Sequence, residues 1–146
     1  MPERGVVDVL HVEDDPGYAL MVRKSLALAG SSSRLHAVTD GRQALRFLRQ
    51  AGEHASAPRP GLVILDLSLP GLHGLDVLAE IKADPGLLTI PVVILSSSTH
   101  PGDIKRSYEL HANAYIVKPA DPDRFDDVIK AIDTCFLSLI EPPPPA

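Results

Sequence analysis

Short apolar or extended runs alternate along the chain with longer segments in which apolar residues recur at helical spacing. The runs, which predict strands buried in a sheet, are Val6 to Val12, Arg34 to Val38, Leu62 to Leu65, Val92 to Leu95 and Tyr115 to Val117. Each run is followed by apolar positions three or four residues apart, which predict a helix. Five strand and helix pairs in strict alternation require right-handed crossovers. The predicted fold is therefore α/β, with (βα)5 architecture and a doubly wound parallel sheet.

Polar residues mark where the first two helices begin. Asp15 is suited to cap the first helix, and Pro16 fits its first turn, where the missing N–H is not needed. Asp40 is suited to cap the second helix. We interpret Asp15 only as a residue that caps the helix and stabilises its dipole. For the preceding residues Glu13 and Asp14, the same structural role is an alternative to a functional one.

The pattern predicts a single domain. Residues 52–61, rich in Ala and Pro, are predicted to form a loop within it. The proline-rich residues 142–146 cannot continue the last helix. We therefore expect one domain over residues 5–141, a short proline-rich C-terminal tail and no output domain.

The composition is typical of a folded, acidic protein. Hydrophobic residues make up 45% and charged residues 23% of the 146 residues, which is close to ordinary globular usage. The formal net charge is −5. Because affinity for nucleic acid depends largely on Lys and Arg, this charge argues against a nucleic-acid partner.

Nothing in the sequence indicates export or insertion into a membrane. Met1 to Val12 lacks a basic segment followed by an apolar run and a cleavage site, and no stretch reaches the ~18 apolar residues of a membrane span. Cys135 is the single cysteine, so no intrachain disulfide can form. Its apolar helical neighbourhood favours a buried, inert thiol. We expect a cytoplasmic protein.

Polar side chains follow four of the five predicted strands. Glu13 and Asp14 end the first strand, Asp66 ends the third, Ser96 ends the fourth and Lys118 ends the fifth. Reactive groups in an open parallel sheet lie at the carboxyl ends of the strands, near the point where the strand order reverses. In the order 2-1-3-4-5 the first and third strands are neighbours. The three carboxylates are then expected to share one crevice.

These residues belong to a longer pattern that resembles one family closely. The pattern comprises the acidic pair Glu13 and Asp14, Asp66 in Asp-Leu-Ser-Leu-Pro-Gly-Leu-His-Gly, a hydroxyl at Ser96, an aromatic at Tyr115, and Lys118 followed by Pro119. In that order and at those strand ends it resembles the receiver domains of two-component response regulators. The resemblance covers the chain from the first strand to the final helix, and it implies a flavodoxin-like strand order of 2-1-3-4-5.

The resemblance implies a divalent cation, Mg2+ or Mn2+, in the crevice. Three carboxylates and one lysine leave a net charge of about −2 there, which a divalent cation balances. Mg2+ prefers oxygen ligands and keeps several waters, so we expect Asp14, Asp66 and the Ser68 backbone carbonyl to bind it directly and Glu13 to act through water. Without the cation, the like charges are expected to raise the pKa of one carboxylate.

The resemblance also implies that Asp66 is the phosphoacceptor. Phosphoryl transfer needs a positioned nucleophile and neutralised oxygens more than acid–base chemistry. The cation and Lys118 are expected to neutralise phosphoryl oxygens, while Ser96 donates a hydrogen bond. Family members catalyse their own phosphorylation and slow dephosphorylation, and Ser96 and Tyr115 are implied to switch the surface that binds partners. A cis peptide before Pro119 is implied to aim Lys118 inward.

The partner implied by the resemblance is a sensor histidine kinase. The stretches from Ser96 to Ile104 and from Tyr115 to Pro119, together with the tail from Cys135 to Pro142, resemble regulators that partner phytochrome-type histidine kinases. Two departures from the family pattern stand out. The acidic pair is Glu-Asp instead of Asp-Asp, and Ala120 stands where a larger residue is frequent, which removes bulk beside the switch.

Three other functions fit parts of the pattern. A haloacid-dehalogenase-like phosphatase needs a second Asp two residues after the first, where this chain has Ser68. A flavodoxin-like FMN protein needs free N–H donors at its phosphate loop, where this chain has Glu13, Asp14 and Asp15. A pseudo-receiver, which keeps the fold as a binding module but takes no phosphate, stays as the alternative, although all the site positions are filled.

The last helix predicts a homodimer. One apolar stripe, sufficient to pack the helix on the sheet, comprises Phe125, Val128, Ile129, Ile132, Phe136 and Leu139. A second group widens the apolar surface near the helix end, and it comprises Cys135, Leu137 and Ile140. Exposed apolar surface of this kind usually marks an interface. In the alternative interpretation the tail folds back and covers the chain's own core.

Overall fold

The computed structural model describes residues 6–139, 141, 143 and 144, and within them each of five parallel strands is followed by a helix. The strands are β1 (Asp8–Val12), β2 (Arg34–Val38), β3 (Leu62–Leu65), β4 (Val92–Ser96) and β5 (Ala114–Val117). The helices are α1 (Pro16–Leu28), α2 (Gly41–Arg49), α3 (Gly74–Ala83), α4 (Pro101–Glu109) and α5 (Pro122–Ile132). The strand order is β2-β1-β3-β4-β5 with every pair parallel, which confirms the predicted fold.

The bounds of the strands follow the apolar pattern closely. The predicted bounds of β2 and β3 are those of the structure. β1 begins two residues later than predicted, at Asp8, while β4 continues to Ser96 and β5 begins at Ala114. The predicted loop between α2 and β3 contains a short 3-10 turn at Gly52–His54.

The sheet buries a core on each of its faces. Alternate residues of β3 illustrate the division, because Val63 and Leu65 pack with α2 and α3, whereas Leu62 and Ile64 pack with α1 and α5. All four side chains are fully buried. Strands covered by helices on both faces need apolar residues at successive positions, which explains the continuous apolar runs in the sequence.

Side-chain caps fix the first turns of the helices. The carboxylate of Asp15 accepts hydrogen bonds from the backbone N–H groups of Gly17 and Tyr18, at 2.8 and 3.3 Å. Asp40 caps α2 by accepting from the Gln43 N–H at 2.8 Å. Both caps were predicted. The imidazole of the exposed His73 caps α3 by accepting from the Leu75 N–H at 3.1 Å, a role the sequence analysis did not identify.

The end of the last helix differs from the prediction. After α5 the chain continues as a π-helical segment, Asp133–Leu139. A π-helix bonds residue i to i+5, so the five-residue step from Ile132 to Leu137 keeps Leu137 on the inward face. Leu137 is buried in the chain's own core, and Cys135 is exposed. The expectations of a buried Cys135 thiol and of an exposed Leu137 were therefore wrong, whereas the exposure of Cys135 agrees with its assignment to the apolar surface near the helix end.

Several predictions concern residues at the two ends of the chain. Ile140, which was assigned to the dimer interface, lies outside the described residues, as does residue 5, the predicted start of the domain. Residues 142, 145 and 146 of the predicted tail lie outside them as well. Across the part of the chain that the structure describes, no helix has the length and apolar character needed to cross a bilayer.

His11 on β1 is a polar side chain inside the sheet. It is 1% exposed, and its Nδ1 has no hydrogen-bond partner among the described residues. The pKa of His11 is lowered to about 4, chiefly by burial and also by the positive charges of Lys118 and Arg23, against an opposing effect of Asp66. The imidazole is therefore neutral in the folded protein at neutral pH.

We expect the free energy of unfolding of His11→Leu to fall less at acid pH than that of the wild type. As pH falls, the unfolded chain protonates His11 near its ordinary pKa of 6.5, but the folded protein does not do so until about pH 4. The native state therefore loses stability between these values, by about 2 kcal/mol from pH 8 to pH 5. Urea unfolding of both proteins in EDTA at the two pH values measures the difference. An equal loss in the variant would contradict this assignment.

Candidate functional site

The strand register brings the predicted site residues to one edge of the sheet. Val12 pairs with Leu65, so Glu13 and Asp66 follow on neighbouring strands. The backbone N–H of Asp66 donates to the Val12 carbonyl at 3.1 Å, and that of Glu13 donates to the Val38 carbonyl at 3.0 Å. The hydrogen-bonding pattern of the sheet thus continues into the crevice and fixes the backbone of both carboxylates.

The fourth and fifth strands supply the opposite wall of the crevice. Ser96 pairs with Val117, and the backbone N–H of Lys118 donates to the Ser96 carbonyl at 2.8 Å. The peptide bond before Pro119 is trans, so the expected cis peptide was wrong. The continued pairing with β4 is what carries the Lys118 side chain into the crevice.

The ammonium of Lys118 joins two carboxylates. Its Nζ lies 2.6 Å from Glu13 Oε1 and 3.2 Å from Asp66 Oδ2. The side chains are 4%, 1% and 7% exposed for Lys118, Glu13 and Asp66, respectively. Removing one partner of such a buried group would leave an uncompensated charge, so the three side chains depend on one another.

Glu13, Asp14 and Asp66 form an acidic cluster. One carboxylate oxygen from each lies within 4.8 Å of those of the others. Glu13 and Asp66 are buried, whereas Asp14 is exposed at the mouth of the crevice. Three carboxylates against one ammonium leave an excess of negative charge among hard oxygen donors. This donor set fits a divalent cation such as Mg2+ or Mn2+, with Asp14 giving access from solvent.

The pKa values of Glu13 and Lys118 reflect their burial and the charges around them. The pKa of Glu13 is raised to about 7, chiefly by burial and also by its interaction with Asp66, while the contact with Lys118 opposes the rise. Burial alone would lower the pKa of Lys118, but the hydrogen bond to Glu13 and the charge of Asp66 outweigh that effect, and the pKa is raised. Lys118 therefore stays cationic, and Glu13 is partly protonated near neutral pH.

Ser96 and Tyr115 are linked through Ser98. The Ser98 N–H donates to Ser96 Oγ at 3.2 Å, and the Tyr115 hydroxyl donates to the Ser98 carbonyl at 2.8 Å. The Ser98 hydroxyl in turn donates to Asp103 on α4 at 2.6 Å. Ser96 itself is 1% exposed. The two residues predicted to form the switch are thus connected to each other and to α4, and the sequence analysis had not identified the connecting residue.

Two further residues at the site were not identified from the sequence. The Nζ of Lys118 lies 4.0 Å from the ring centroid of Tyr18, a residue of α1. Gly74, at the start of α3, packs against the backbone of Asp66 and Leu67. No sequence motif identifies contacts made between separate elements in this way.

Ser68, whose backbone carbonyl was predicted to bind the cation, is exposed, and its N–H donates to Asp66 Oδ1 at 3.3 Å.

The chain is similar to known proteins in sequence and in fold. The family model described as "Response regulator receiver domain" matches residues 9–130. Over 135 residues, covering 92% of both chains, the protein is 38% identical to "Response regulator Rcp1" from Synechocystis sp.. It is 35% identical over 139 residues to the "Probable methanogenesis regulatory protein FilR2" from Methanothrix harundinacea, covering 94% of this chain and 88% of that one.

Two solved structures resemble the fold over almost its whole length. The phosphorylated cyanobacterial phytochrome response regulator RcpA superposes with a TM-score of 0.92 at 41% identity, covering 96% of this chain and 100% of that chain. The Mn2+-bound form of response regulator Rcp1 superposes with a TM-score of 0.90 at 37% identity, covering 94% and 99%.

We expect Gly74→Ala to destabilise the protein by about 2 kcal/mol, because overpacking a tight site displaces backbone. A Cβ at this position would clash with the Asp66 carbonyl oxygen and lie 2.5 Å from the Leu67 Cα. Gly86→Ala is the matched control, since its Cβ would meet nothing closer than 3.4 Å. Urea unfolding of both variants measures the effect. Equal stability of the two variants would contradict the proposed packing of Gly74.

Proposed function

The chain belongs to the response regulator receiver family, and on this premise we propose that it is a phosphorelay response regulator that accepts a phosphoryl group on Asp66 from the phosphohistidine of a sensor histidine kinase. The observation that carries the proposal is the contact of the buried Lys118 ammonium with Asp66 beside an acidic cluster. A receiver domain over residues 5–141 is part of the proposal, and the family model matches 9–130 of them.

Asp66 is the proposed nucleophile. One of its carboxylate oxygens attacks the phosphorus of the phosphohistidine, the P–N bond breaks, and the imidazole leaves while the new O–P bond forms. The product is an aspartyl phosphate. Lys118 Nζ, already 3.2 Å from Asp66 Oδ2, is placed to follow the charge onto a phosphoryl oxygen. Fixed charges of this kind stabilise a transition state without further reorganisation.

A divalent cation, Mg2+ or Mn2+, is proposed to supply the remaining positive charge. Asp14, Asp66 and the backbone carbonyl of Ser68 would hold it directly, and Glu13 would contact it through water. The acidic cluster supports this assignment, as does the Mn2+-bound form of the relative Rcp1.

Ser96 and Tyr115 are proposed to link phosphorylation of Asp66 to a conformational change in the surface that binds partners. A hydrogen bond from Ser96 to a phosphoryl oxygen would change the loop whose Ser98 N–H now donates to Ser96 Oγ. The same loop holds the hydroxyl of Tyr115 through the Ser98 carbonyl. Movement at Ser96 would therefore alter Tyr115 and α4 together. The phosphorylated and unphosphorylated states would bind a partner with different affinity only if their contacts with that partner differ.

A phytochrome-type sensor histidine kinase is the proposed partner. Support comes from the similarity to RcpA over almost the whole chain. The net charge of −5 supports a function without nucleic acid. The homodimer through the last helix stays a prediction of the sequence, and it now lacks Leu137 as an interface residue. A cytoplasmic location likewise stays a prediction.

We expect Asp66→Asn to abolish phosphorylation while the fold is kept. The amide is close to the carboxylate in size, but it lacks the nucleophilic oxygen and the charge. The measurement is a mobility shift after incubation with acetyl phosphate and Mg2+, with Asp76→Asn, an exposed position on α3, as the control. Labelling of the Asp66 variant at the wild-type level would contradict the assignment, and an unlabelled wild type would favour the pseudo-receiver.

We expect Asp14→Asn to weaken Mg2+ binding by at least about tenfold, or about 1.4 kcal/mol, because one charged ligand is lost. Asp15→Asn is the matched control, since it removes a neighbouring charge while an asparagine still caps α1. Calorimetric titration of the unphosphorylated proteins with Mg2+ measures both affinities. If the two variants weakened binding equally, overall charge and not a ligand at Asp14 would explain the loss.

A further inference from the structure

We propose that Tyr18 is a positioning residue for Lys118, and that its aromatic ring holds the ammonium where it meets the phosphoryl group. The inference rests on the proposed function. The Lys118 Nζ lies 4.0 Å from the centroid of the Tyr18 ring. Within about 6 Å, the negative face of an aromatic ring attracts an ammonium, and the attraction is stronger in a desolvated setting.

The ring completes the surroundings of the ammonium. A lysine ammonium has three N–H donors. Glu13 Oε1 and Asp66 Oδ2 accept from Nζ at 2.6 and 3.2 Å, and Tyr18 is the third group in contact with it. The Lys118 side chain is 4% exposed, so little water reaches the ammonium. The contact with Tyr18 therefore takes the place of a hydration shell on the side that the carboxylates leave open.

Contacts within α1 and with α5 hold the Tyr18 ring in this place. At the start of α1, the Asp15 carboxylate accepts a hydrogen bond from the Tyr18 N–H at 3.3 Å, which fixes the backbone. On the other side, the ring contacts Phe125 of α5, with ring centroids 6.0 Å apart and planes tilted by 36°. Phe125 is fully buried. The Tyr18 ring is thus held by contacts within α1 and with α5 in addition to its contact with Lys118.

This arrangement matters for the transfer step. When Asp66 becomes phosphorylated, Lys118 must exchange a contact with Asp66 for one with a phosphoryl oxygen. A ring that stays in place keeps the ammonium in the crevice during the exchange. Leucine at position 18 would keep apolar contact with Phe125 but would leave an ammonium donor without a partner. Such a donor is costly in a buried site, so Lys118 would turn toward solvent.

Three variants separate the ring from simple packing. Tyr18→Leu removes the ring, and Tyr18→Phe keeps it without the hydroxyl. Met21→Ala, one turn further along α1, removes apolar bulk from the same core and leaves the ring in place. The first readout needs no phosphorylation. Protons of the Lys118 ammonium and ε-methylene that lie over a ring face are shifted upfield in the NMR spectrum by the ring current.

We expect the upfield shift in the wild type, Tyr18→Phe and Met21→Ala, and its loss in Tyr18→Leu. The second readout is the rate of phosphorylation by acetyl phosphate at saturating Mg2+. Tyr18→Leu should be slower by roughly fivefold or more, while Tyr18→Phe and Met21→Ala stay within about twofold of the wild type.

Each contrary result has a distinct meaning. An unshifted Lys118 signal in the wild type would overturn the proposal, as would an unchanged rate in Tyr18→Leu. Equal slowing in Met21→Ala would assign the effect to packing of α1, and slowing in Tyr18→Phe would assign it to the hydroxyl, so either would overturn the role of the ring. A wild type that is never phosphorylated would instead overturn the proposed function, with the shift still testing the contact.

Discussion

The contact of the Lys118 ammonium with the carboxylates of Glu13 and Asp66 is the constraint on which the site depends. All three side chains are almost fully buried, and one positive charge cannot balance the acidic cluster. The crevice therefore carries more negative than positive charge, and the pKa of Glu13 is raised, chiefly by burial and also by the neighbouring Asp66. This set of oxygen donors fits a divalent cation.

The parallel sheet makes this crowding of charge possible. The register of β1 with β3 sets Glu13 beside Asp66, and that of β4 with β5 sets Lys118 beside Ser96. Backbone hydrogen bonds extend the pairing past the ends of the strands, so the charged residues are held by the same interactions that hold the sheet. The apolar cores on its two faces supply the stability against which the charges are buried.

The sequence predicted the sheet and the strand-end residues well, because apolar periodicity and strand order depend on local pattern and general topology. It missed contacts between elements that are distant in sequence, such as those of Tyr18 with Lys118 and of Gly74 with Asp66. It also placed Leu137 outside, because helical spacing was continued through a segment that has the wider turn of a π-helix. Such a change of period leaves no simple trace in the sequence.

The central claim is that this crevice is built to receive a phosphoryl group between Asp66 and Lys118. A crystal structure of the protein with Mg2+ and beryllofluoride, which mimics a phosphoryl group on a carboxylate, tests the claim most directly. We expect beryllofluoride on Asp66, with fluorine atoms in contact with Lys118 Nζ and Ser96 Oγ and with Mg2+ on Asp14 and Asp66. A crevice that bound neither, with Lys118 still joined to Glu13 and Asp66, would contradict the account.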